Sequence, residues 1–338
     1  MKHKIIVAGC GSMSNTWFDY VEKRDDAVIV GVVDLFRETA KAMVDKRKLD
    51  VPIFSTIEEA LEQVDANLVF DVTIPASHKD VTTAALRAGC HVFGEKPMAE
   101  SLSDAQIVLD LAEQSDTSYA VMQNRRFLKQ VRSLRNFIAN DEIGQIGTIH
   151  ADFFIGAHFG GFRDAMDHPL ILDMAIHTFD VARFISGADA VSVYCQEFNP
   201  TGSWYAGNAS AICIFEMSNG AIFTYRGSWC SEGFPTSWEG DWRIIGEKGT
   251  VKWDGHKMPV AERVVEPQEQ TFTRKYEQVG VEASWFGQEG HWGCLDEMFA
   301  ALNENRLAET DCSDNIKSME MVFGAIESAK TGKKISLK

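Results

Sequence analysis

This sequence lacks long apolar runs and has few cysteines. Nowhere do about 18 apolar residues follow one another, which is the length that a membrane-spanning helix needs. The 7 cysteines are odd in number and form no C-x-x-C pair. They argue for reduced thiols and against a disulfide framework or a cysteine zinc site. The first apolar run begins almost at the N-terminus and leaves no room for a signal peptide, so we expect a cytoplasmic protein.

Basic residues are also in deficit, with 33 Lys and Arg against 49 Asp and Glu and a net charge of -16. This balance argues against nucleic acid or an anionic membrane as a partner. It does not exclude a dinucleotide, because backbone amides bind the phosphates locally. A length of 338 residues suits two domains, and the sequence contains no internal repeat and no low-complexity tract.

The N-terminal segment has the pattern of a dinucleotide-binding site. A β-branched run over 4–8 is followed by Gly9 and Gly11 and then by a helical pattern over 15–23. Gly9 permits a tight turn, and Gly11 lets the backbone approach a pyrophosphate at the N-terminus of the helix. Ser14 stands at the third glycine position, where a small residue satisfies the close packing of helix on strand.

The residue that ends the second apolar run indicates which cofactor is preferred. Asp34 follows the run over 28–33, where a carboxylate accepts hydrogen bonds from both adenosine-ribose hydroxyls and repels a 2′-phosphate. This favours NAD. Arg37 is placed to pair with such a phosphate instead, so NADP remains open.

Two further runs, 68–72 and 90–93, predict buried parallel strands with polar loops behind them. Thr73, Pro75 and His78 follow the first run, and Glu95-Lys96-Pro97 follows the second. Ligands bind at the carboxyl ends of parallel strands, which would place Lys96 beside the nicotinamide. The alternative is a solvated surface lysine.

The segment 169–185 carries the strongest catalytic pattern. Its apolar spacing predicts a helix, and at 3.6 residues per turn Asp173, His177 and Asp180 would share one face. A carboxylate one turn from an imidazole can fix its tautomer for acid–base catalysis. The alternative is a histidine hydrogen-bonded within a core helix. His168, Asp173 and His177 could also ligate a metal, but a spacing of five turns His168 aside in a regular helix, and we expect no metal.

Taken together, these motifs resemble the Gfo/Idh/MocA oxidoreductases, the group that contains glucose–fructose oxidoreductase and inositol dehydrogenases. The resemblance covers essentially the whole chain and rests on Gly9-x-Gly11-x-Met13, Glu95-Lys96-Pro97, Asn124-Arg125-Arg126 and Asp173-x-x-x-His177-x-x-Asp180. It implies an α/β protein with an N-terminal Rossmann domain and a C-terminal α/β domain on a large, mostly antiparallel open sheet. It also implies that Lys96, Asp173 and His177 are the catalytic residues. We expect Asp180 to support the helix. His168-Pro169 stands where many members have Gly-Gly, so the substrate of a relative does not transfer.

The expected activity is hydride transfer between NAD(P) and a sugar, inositol or related polyol. The alternatives are a regulator or sensor that binds the nucleotide without turnover, and a reductase of a non-sugar carbonyl. The expected substrate contacts are Arg163, His168, Asp173 and His177, although Arg163 and Asp167 equally suit an exposed loop pair. The expected cofactor contacts are Gly9, Gly11, Ser12, Met13, Asp34, Arg37, Thr73, Pro75, His78, Glu95, Lys96 and Asn124.

The rest of the chain predicts the second domain. The domains are expected to divide at Gln123, into 1–123 and 124–338. Period-two runs over 146–154, 191–197, 209–217, 221–229, 242–245 and 250–253 predict strands. Asn219-Gly220 predicts a hairpin turn. Four tryptophans lie in or near these strands, where packing or a subunit interface is favoured over sugar stacking: Trp204, Trp229, Trp238 and Trp242. A sheet with one open face must be covered, so we expect a homodimer or homotetramer.

Overall fold

The computed structural model describes residues 3–265 and 272–337, which form two compact units. Unit 1 contains residues 1–123 and 291–319, and unit 2 contains 124–290 and 320–338. The helices, numbered along the chain, are α1 (Ser14–Val21), α2 (Arg37–Arg47), α3 (Ile57–Gln63), α4 (Pro75–Arg87), α5 (Leu102–Glu113), α6 (Lys129–Ala139), α7 (Ile176–Ser186), α8 (Gly290–Asn303) and α9 (Cys312–Thr331). Within the described ranges, no helix combines the length and apolarity that a membrane span requires.

Unit 1 is built on a parallel sheet of six strands. These are β1 (His3–Ala8), β2 (Ala27–Val33), β3 (Ile53–Phe54), β4 (Leu68–Asp71), β5 (His91–Gly94) and β6 (Tyr119–Val121). Their order, β3-β2-β1-β4-β5-β6, is that of a Rossmann fold. The strands are rich in β-branched residues and almost entirely buried, as expected for a parallel sheet with helices on both faces. The predicted Rossmann fold is therefore confirmed.

Residues 291–319 belong to unit 1, although the predicted division assigned them to the second domain. Phe299 of α8 accounts for this grouping, because its ring lies 6.1 Å from Phe70 and 5.2 Å from Phe93 in the core of the Rossmann sheet. The amide of Val121 also donates to the carbonyl of Thr310. These contacts are distant in sequence, so no local pattern announces them.

Unit 2 is built on a nine-stranded sheet. Its strands are β7 (Ile146–Phe154), β8 (Ala190–Phe198), β9 (Ser210–Met217), β10 (Ile222–Ser228), β11 (Asp241–Gly246), β12 (Gly249–Trp253), β13 (Val260–Val264), β14 (Tyr276–Gly280) and β15 (Ile335–Ser336), in the order β14-β13-β12-β11-β7-β10-β9-β8-β15. Only the β7–β10 pair is parallel among these described strands. The predicted open, mostly antiparallel sheet is confirmed. The predicted turn joins β9 to β10, with Gly220 at φ 84°.

The segment that carries Asp173 is not the regular helix that the apolar spacing predicts. Residues Leu170–Ala175 form a π-helix, and α7 begins only at Ile176. A π-helix closes its turns five residues apart, so the 3.6-residue period assumed for Asp173 does not apply over Leu170–Ala175. The argument that a spacing of five turns His168 aside assumed the same periodicity and fails with it. His177 and Asp180 both lie in the regular helix α7.

Candidate functional site

The glycine loop after β1 has the geometry of a dinucleotide cradle. Gly9 has φ 91°, and a Cβ there would lie 2.4 Å from the carbonyl oxygen of Val72, so only glycine fits. A Cβ at Gly11 would meet no atom within 4 Å. The space in front of Gly11 is therefore left open by the protein. Ser12 and Met13 are exposed in this loop ahead of α1.

Asp34 lies at the carboxyl end of β2, where the sequence predicts a ribose contact. Its Oδ2 accepts the Cys10 amide at 2.9 Å, and its Oδ1 accepts the Phe36 amide at 2.8 Å. The carboxylate is thereby fixed beside the glycine loop, and each oxygen retains a lone pair for a ribose hydroxyl. Leu35 and Phe36 are 77% and 71% exposed, which suits a surface that a nucleotide covers. These residues fit NAD. Arg37, the first residue of α2, is exposed as well.

Of the three predicted cofactor contacts that follow β4, His78 is buried and the other two are not. Thr73, ahead of α4, and Pro75, its first residue, are both half-buried. His78 is 1% exposed, with Nδ1 2.6 Å from the Pro97 carbonyl and Nε2 3.1 Å from the Thr73 carbonyl. Its ring links the two loops, so its cofactor contact remains a prediction.

The Glu95-Lys96-Pro97 tripeptide is anchored through its first residue. Glu95 is 8% exposed and accepts the indole N–H of Trp17 at 2.8 Å. His291, at the start of α8, lies 4.0 Å from the same carboxylate. Burial lowers the pKa of His291, Glu95 opposes that change, and the positive charge of Lys96 adds to it. Lys96 therefore lies in a half-buried setting with a carboxylate and an imidazole nearby.

In unit 2, Asp173 is paired with Arg163. The guanidinium Nε of Arg163 donates to Oδ2 of Asp173 at 2.7 Å, and the two side chains are 32% and 14% exposed. The guanidinium also lies 5.1 Å from the Phe159 ring and 4.7 Å from the Phe162 ring. This arrangement brings together two of the predicted substrate contacts and orients the Asp173 carboxylate.

The other two polar residues of the motif are buried in unit 2. His177 is 8% exposed and Asp180 is 1% exposed. The Asp180 carboxylate accepts two hydrogen bonds from the Arg126 guanidinium, at 2.6 and 2.7 Å, and Arg126 is 3% exposed. Asp180 thus joins α7 to the Asn124–Phe127 turn, which matches the supporting position expected for it. Burial lowers the pKa of the neighbouring Arg125 to about 10, which leaves it charged at neutral pH.

His168 contacts a residue that the sequence analysis did not single out. Its Nδ1 lies 2.6 Å from Oε2 of Glu197, on β8, and the side chains are 12% and 0% exposed. Glu197 ends a period-two strand pattern, and a charged residue there predicts a solvent-facing position. His291 was missed likewise, because it contacts Glu95 only through the fold. Neither residue carries a local signal.

The tryptophans divide between packing and exposure. Trp229 and Trp242 are 1% and 2% exposed, which confirms packing for these two. Trp238 is 45% exposed, and Trp204 stacks on His158 with ring centroids 3.7 Å apart. Among the described residues, no three His, Cys, Asp or Glu side chains come together as a metal site requires.

Comparison with known proteins agrees with this geometry. Residues 3–123 match the oxidoreductase family with an NAD-binding Rossmann fold, and residues 131–252 match the GFO/IDH/MocA C-terminal domain. The chain belongs to the Gfo/Idh/MocA oxidoreductase family, and its N-terminal domain binds NAD.

Two relatives illustrate the level of sequence similarity. The protein y4oX of Sinorhizobium fredii is 27% identical over 352 residues, which cover 100% of this chain and 96% of that protein. Myo-inositol 2-dehydrogenase of Thermotoga maritima is 26% identical over 203 residues, covering 57% of this chain and 58% of the relative.

Two solved structures show the same fold. An oxidoreductase from Agrobacterium radiobacter, in complex with NAD+, L-tartaric acid and magnesium, has a TM-score of 0.86 at 19% identity, with 99% and 98% of the two chains covered. The WlbA dehydrogenase from Bordetella pertussis, in complex with NADH and UDP-GlcNAcA, has a TM-score of 0.82 at 19% identity, with 100% and 99% covered. At these identities the likeness concerns the fold.

Proposed function

We propose that this protein is an NAD(P)-dependent dehydrogenase that interconverts a hydroxyl and a carbonyl group on a sugar, inositol or related polyol. The observation that carries the proposal is that an NAD-binding fold retains a lysine, an imidazole and a carboxylate at the motif positions. These are Lys96, His177 and Asp173. When bound, NAD supplies the acceptor for the hydride that leaves the carbinol carbon.

Each of the three residues has one chemical task in this proposal. His177 takes the proton of the hydroxyl group being oxidised, as a general base. Lys96 donates a hydrogen bond to the same oxygen and stabilises its developing negative charge. Asp173, which holds Arg163 at 2.7 Å, orients the substrate through the pair. In the reverse direction Lys96 and His177 polarise and protonate the carbonyl.

The proposal is tested by following NADH formation with the purified protein across inositols, aldoses, alditols and sugar acids. A parallel panel uses NADP. Turnover of one compound with a preference for NAD supports the proposal and identifies the substrate. Nucleotide binding without turnover of any compound would point to the regulator or to a non-sugar carbonyl instead. Failure to bind either nucleotide would contradict the proposed dehydrogenase function.

We also propose that the open face of the nine-stranded sheet packs against a second copy of the chain. Neighbouring strands expose apolar side chains on this face, with Tyr194 opposite Ile214 and both more than 40% exposed. Val191, Phe198 and Ile212 are exposed at similar levels. A charge at the centre of such a face should separate the copies. Ile214→Glu is therefore expected to reduce the mass measured by light scattering, and an unchanged mass would contradict the proposal.

A further inference from the structure

Glu197 carries a buried carboxylate that the proposed chemistry leaves unexplained. Its side chain is 0% exposed, and its Oε2 contacts Nδ1 of His168 at 2.6 Å. Its second oxygen, Oε1, has no hydrogen-bond partner among the described residues. Burying a carboxylate costs several kcal/mol unless hydrogen bonds compensate, and here only one is made. A group kept under these conditions requires an explanation other than stability.

The contact fixes the chemistry of the His168 ring. An ionised carboxylate only accepts, so the hydrogen between the two groups belongs to Nδ1 of His168. In the neutral ring the other nitrogen, Nε2, is then a hydrogen-bond acceptor. No described residue bonds Nε2, and the side chain is 12% exposed. The ring therefore presents one oriented acceptor to the outside.

A second His–Glu pair in the same unit shows what an ordinary pair looks like. His158 lies 2.7 Å from Glu232, but those side chains are 60% and 69% exposed. Such a pair is largely exposed to solvent and contributes little to stability. The distance between ring nitrogen and carboxylate oxygen is nearly the same in the His168–Glu197 pair, but that pair is buried. His158 is therefore a matched control for His168.

The position of His168 connects it to the proposed substrate contacts. Its carbonyl accepts the amide of Leu172 at 3.1 Å, and His168 immediately precedes the helical segment that carries Asp173. Arg163, from the same stretch of chain, is bonded to Asp173. One short segment of unit 2 thus supplies an oriented acceptor beside a guanidinium–carboxylate pair.

We propose that His168 binds the substrate through Nε2, by accepting a hydrogen bond from a hydroxyl group other than the one that is oxidised. Glu197 is the positioning residue that fixes the ring. This inference rests on the proposed dehydrogenase function and names a specificity determinant for it. In the neutral ring Nε2 accepts and does not donate, and in this form it selects a hydroxyl at that substrate position over a carboxylate or a deoxy carbon.

The first experiment observes the ring directly. In protein labelled with 15N in its histidines, at mildly alkaline pH, the signals of His168 are assigned by their loss in His168→Phe. Nδ1 is expected to carry the hydrogen, and the Nε2 signal is expected to move when myo-inositol, D-glucose or D-glucitol is added. The signals of His158 are expected to stay in place. A Nε2 signal that moves with none of the three polyols would overturn the inference.

The second experiment pairs variants with substrate analogues. For the panel compound that turns over, kcat/KM is compared with that of its monodeoxy analogues. In the wild type, kcat/KM for one analogue should be about tenfold or more below that of the parent compound. This ratio of the two kcat/KM values should fall toward one in His168→Phe and in Glu197→Met. The Kd for NAD should not change. His158→Phe should retain the wild-type ratio, and melting curves verify that the variants are folded.

The outcomes separate this inference from the proposed function. Turnover with an unchanged deoxy ratio in His168→Phe would leave the dehydrogenase intact and overturn the role of His168. Movement of Nε2 without any turnover would overturn the dehydrogenase and support a polyol site at His168. Neither movement nor turnover would overturn both.

Discussion

The loops of unit 1 and the 163–177 segment of unit 2 fix their polar side chains in different ways. In unit 1, Asp34 is held by the amides of Cys10 and Phe36, and His78 lies between two carbonyls. In unit 2, polar side chains pair with one another, as Arg163 does with Asp173 and His168 with Glu197. Side chains that are held by backbone groups suit a ligand that all members of a family share. Side chains that are held by other side chains can be replaced one residue at a time, which suits a ligand that differs between members.

From this difference we expect the two units to have separable roles. A substitution in the loops of unit 1 should change the choice of nucleotide or the charge stabilisation at the reacting oxygen. A substitution in the 163–177 segment should change substrate recognition or proton transfer and leave nucleotide affinity alone. The following substitutions test that separation.

The largest effect is expected for His177→Asn. Removal of the proposed general base should lower kcat by about 10²- to 10⁴-fold, because no other group takes the hydroxyl proton. The Kd for NAD, measured by fluorescence, should stay at the wild-type value. His158→Asn, at an exposed imidazole, serves as the control. A kcat within about threefold of the wild type would remove His177 from the mechanism.

Lys96→Met should lower turnover by about 10²- to 10³-fold, the usual cost of removing one donor to a developing oxyanion. NAD should still bind, since methionine nearly keeps the length of the lysine side chain while it removes the charge and the hydrogen-bond donors. Kinetics and nucleotide binding are measured together, with Lys79→Met, at a lysine 37% exposed, as the control. Near-normal turnover would show that Lys96 has no part in the chemistry.

Asp180→Asn tests the support beneath the catalytic helix. The change leaves the Arg126 guanidinium buried without its carboxylate, and it should lower the free energy of unfolding of unit 2 by about 3–5 kcal/mol. Urea unfolding followed by tryptophan fluorescence measures the loss. Asp152→Asn, in a pair with the 60% exposed Arg226, should cost less than about 1 kcal/mol. Equal losses in the two variants would contradict the assignment.

Asp34→Asn should weaken NAD binding by about 10- to 100-fold, because charged hydrogen bonds to the ribose are lost. NADP affinity should change less, since repulsion of the 2′-phosphate is relieved. Titration with both nucleotides gives the ratio, and Asp45→Asn on the exposed face of α2 is the control. A parallel loss for NAD and NADP would show that Asp34 does not discriminate.

The smallest effect concerns His291, whose pKa is lowered mainly by burial. Its folded state favours the neutral ring, so its contribution to stability is present above the ordinary pKa of about 6.5 and declines as the pH falls below it. His291→Gln should therefore reduce the fall of the melting temperature with falling pH. The corresponding change in the free energy of unfolding should be less than about 1 kcal/mol. His256→Gln, at an exposed imidazole, is the control.

The sequence predicts the parts of this protein that depend on neighbours in the chain. Gly9 and Asp34 were identifiable because a strand, a turn and a helix follow one another within a short segment. The hairpin at Gly220 and the alternating strands were identifiable for the same reason. The π-helix over Leu170–Ala175 was not, because its apolar spacing also satisfies a regular helix. Glu197 and His291 were missed because their partners lie far away along the chain.

The transfer of deuterium from substrate carbon to the nucleotide tests the central claim most directly. The panel compound that turns over is prepared with deuterium on the carbinol carbon, and the reduced nucleotide is analysed by mass spectrometry. We predict that NADH carries the deuterium and that Lys96→Met and His177→Asn slow its appearance. Reduced nucleotide without the label, or no reduction with any compound of the panel, would contradict the account.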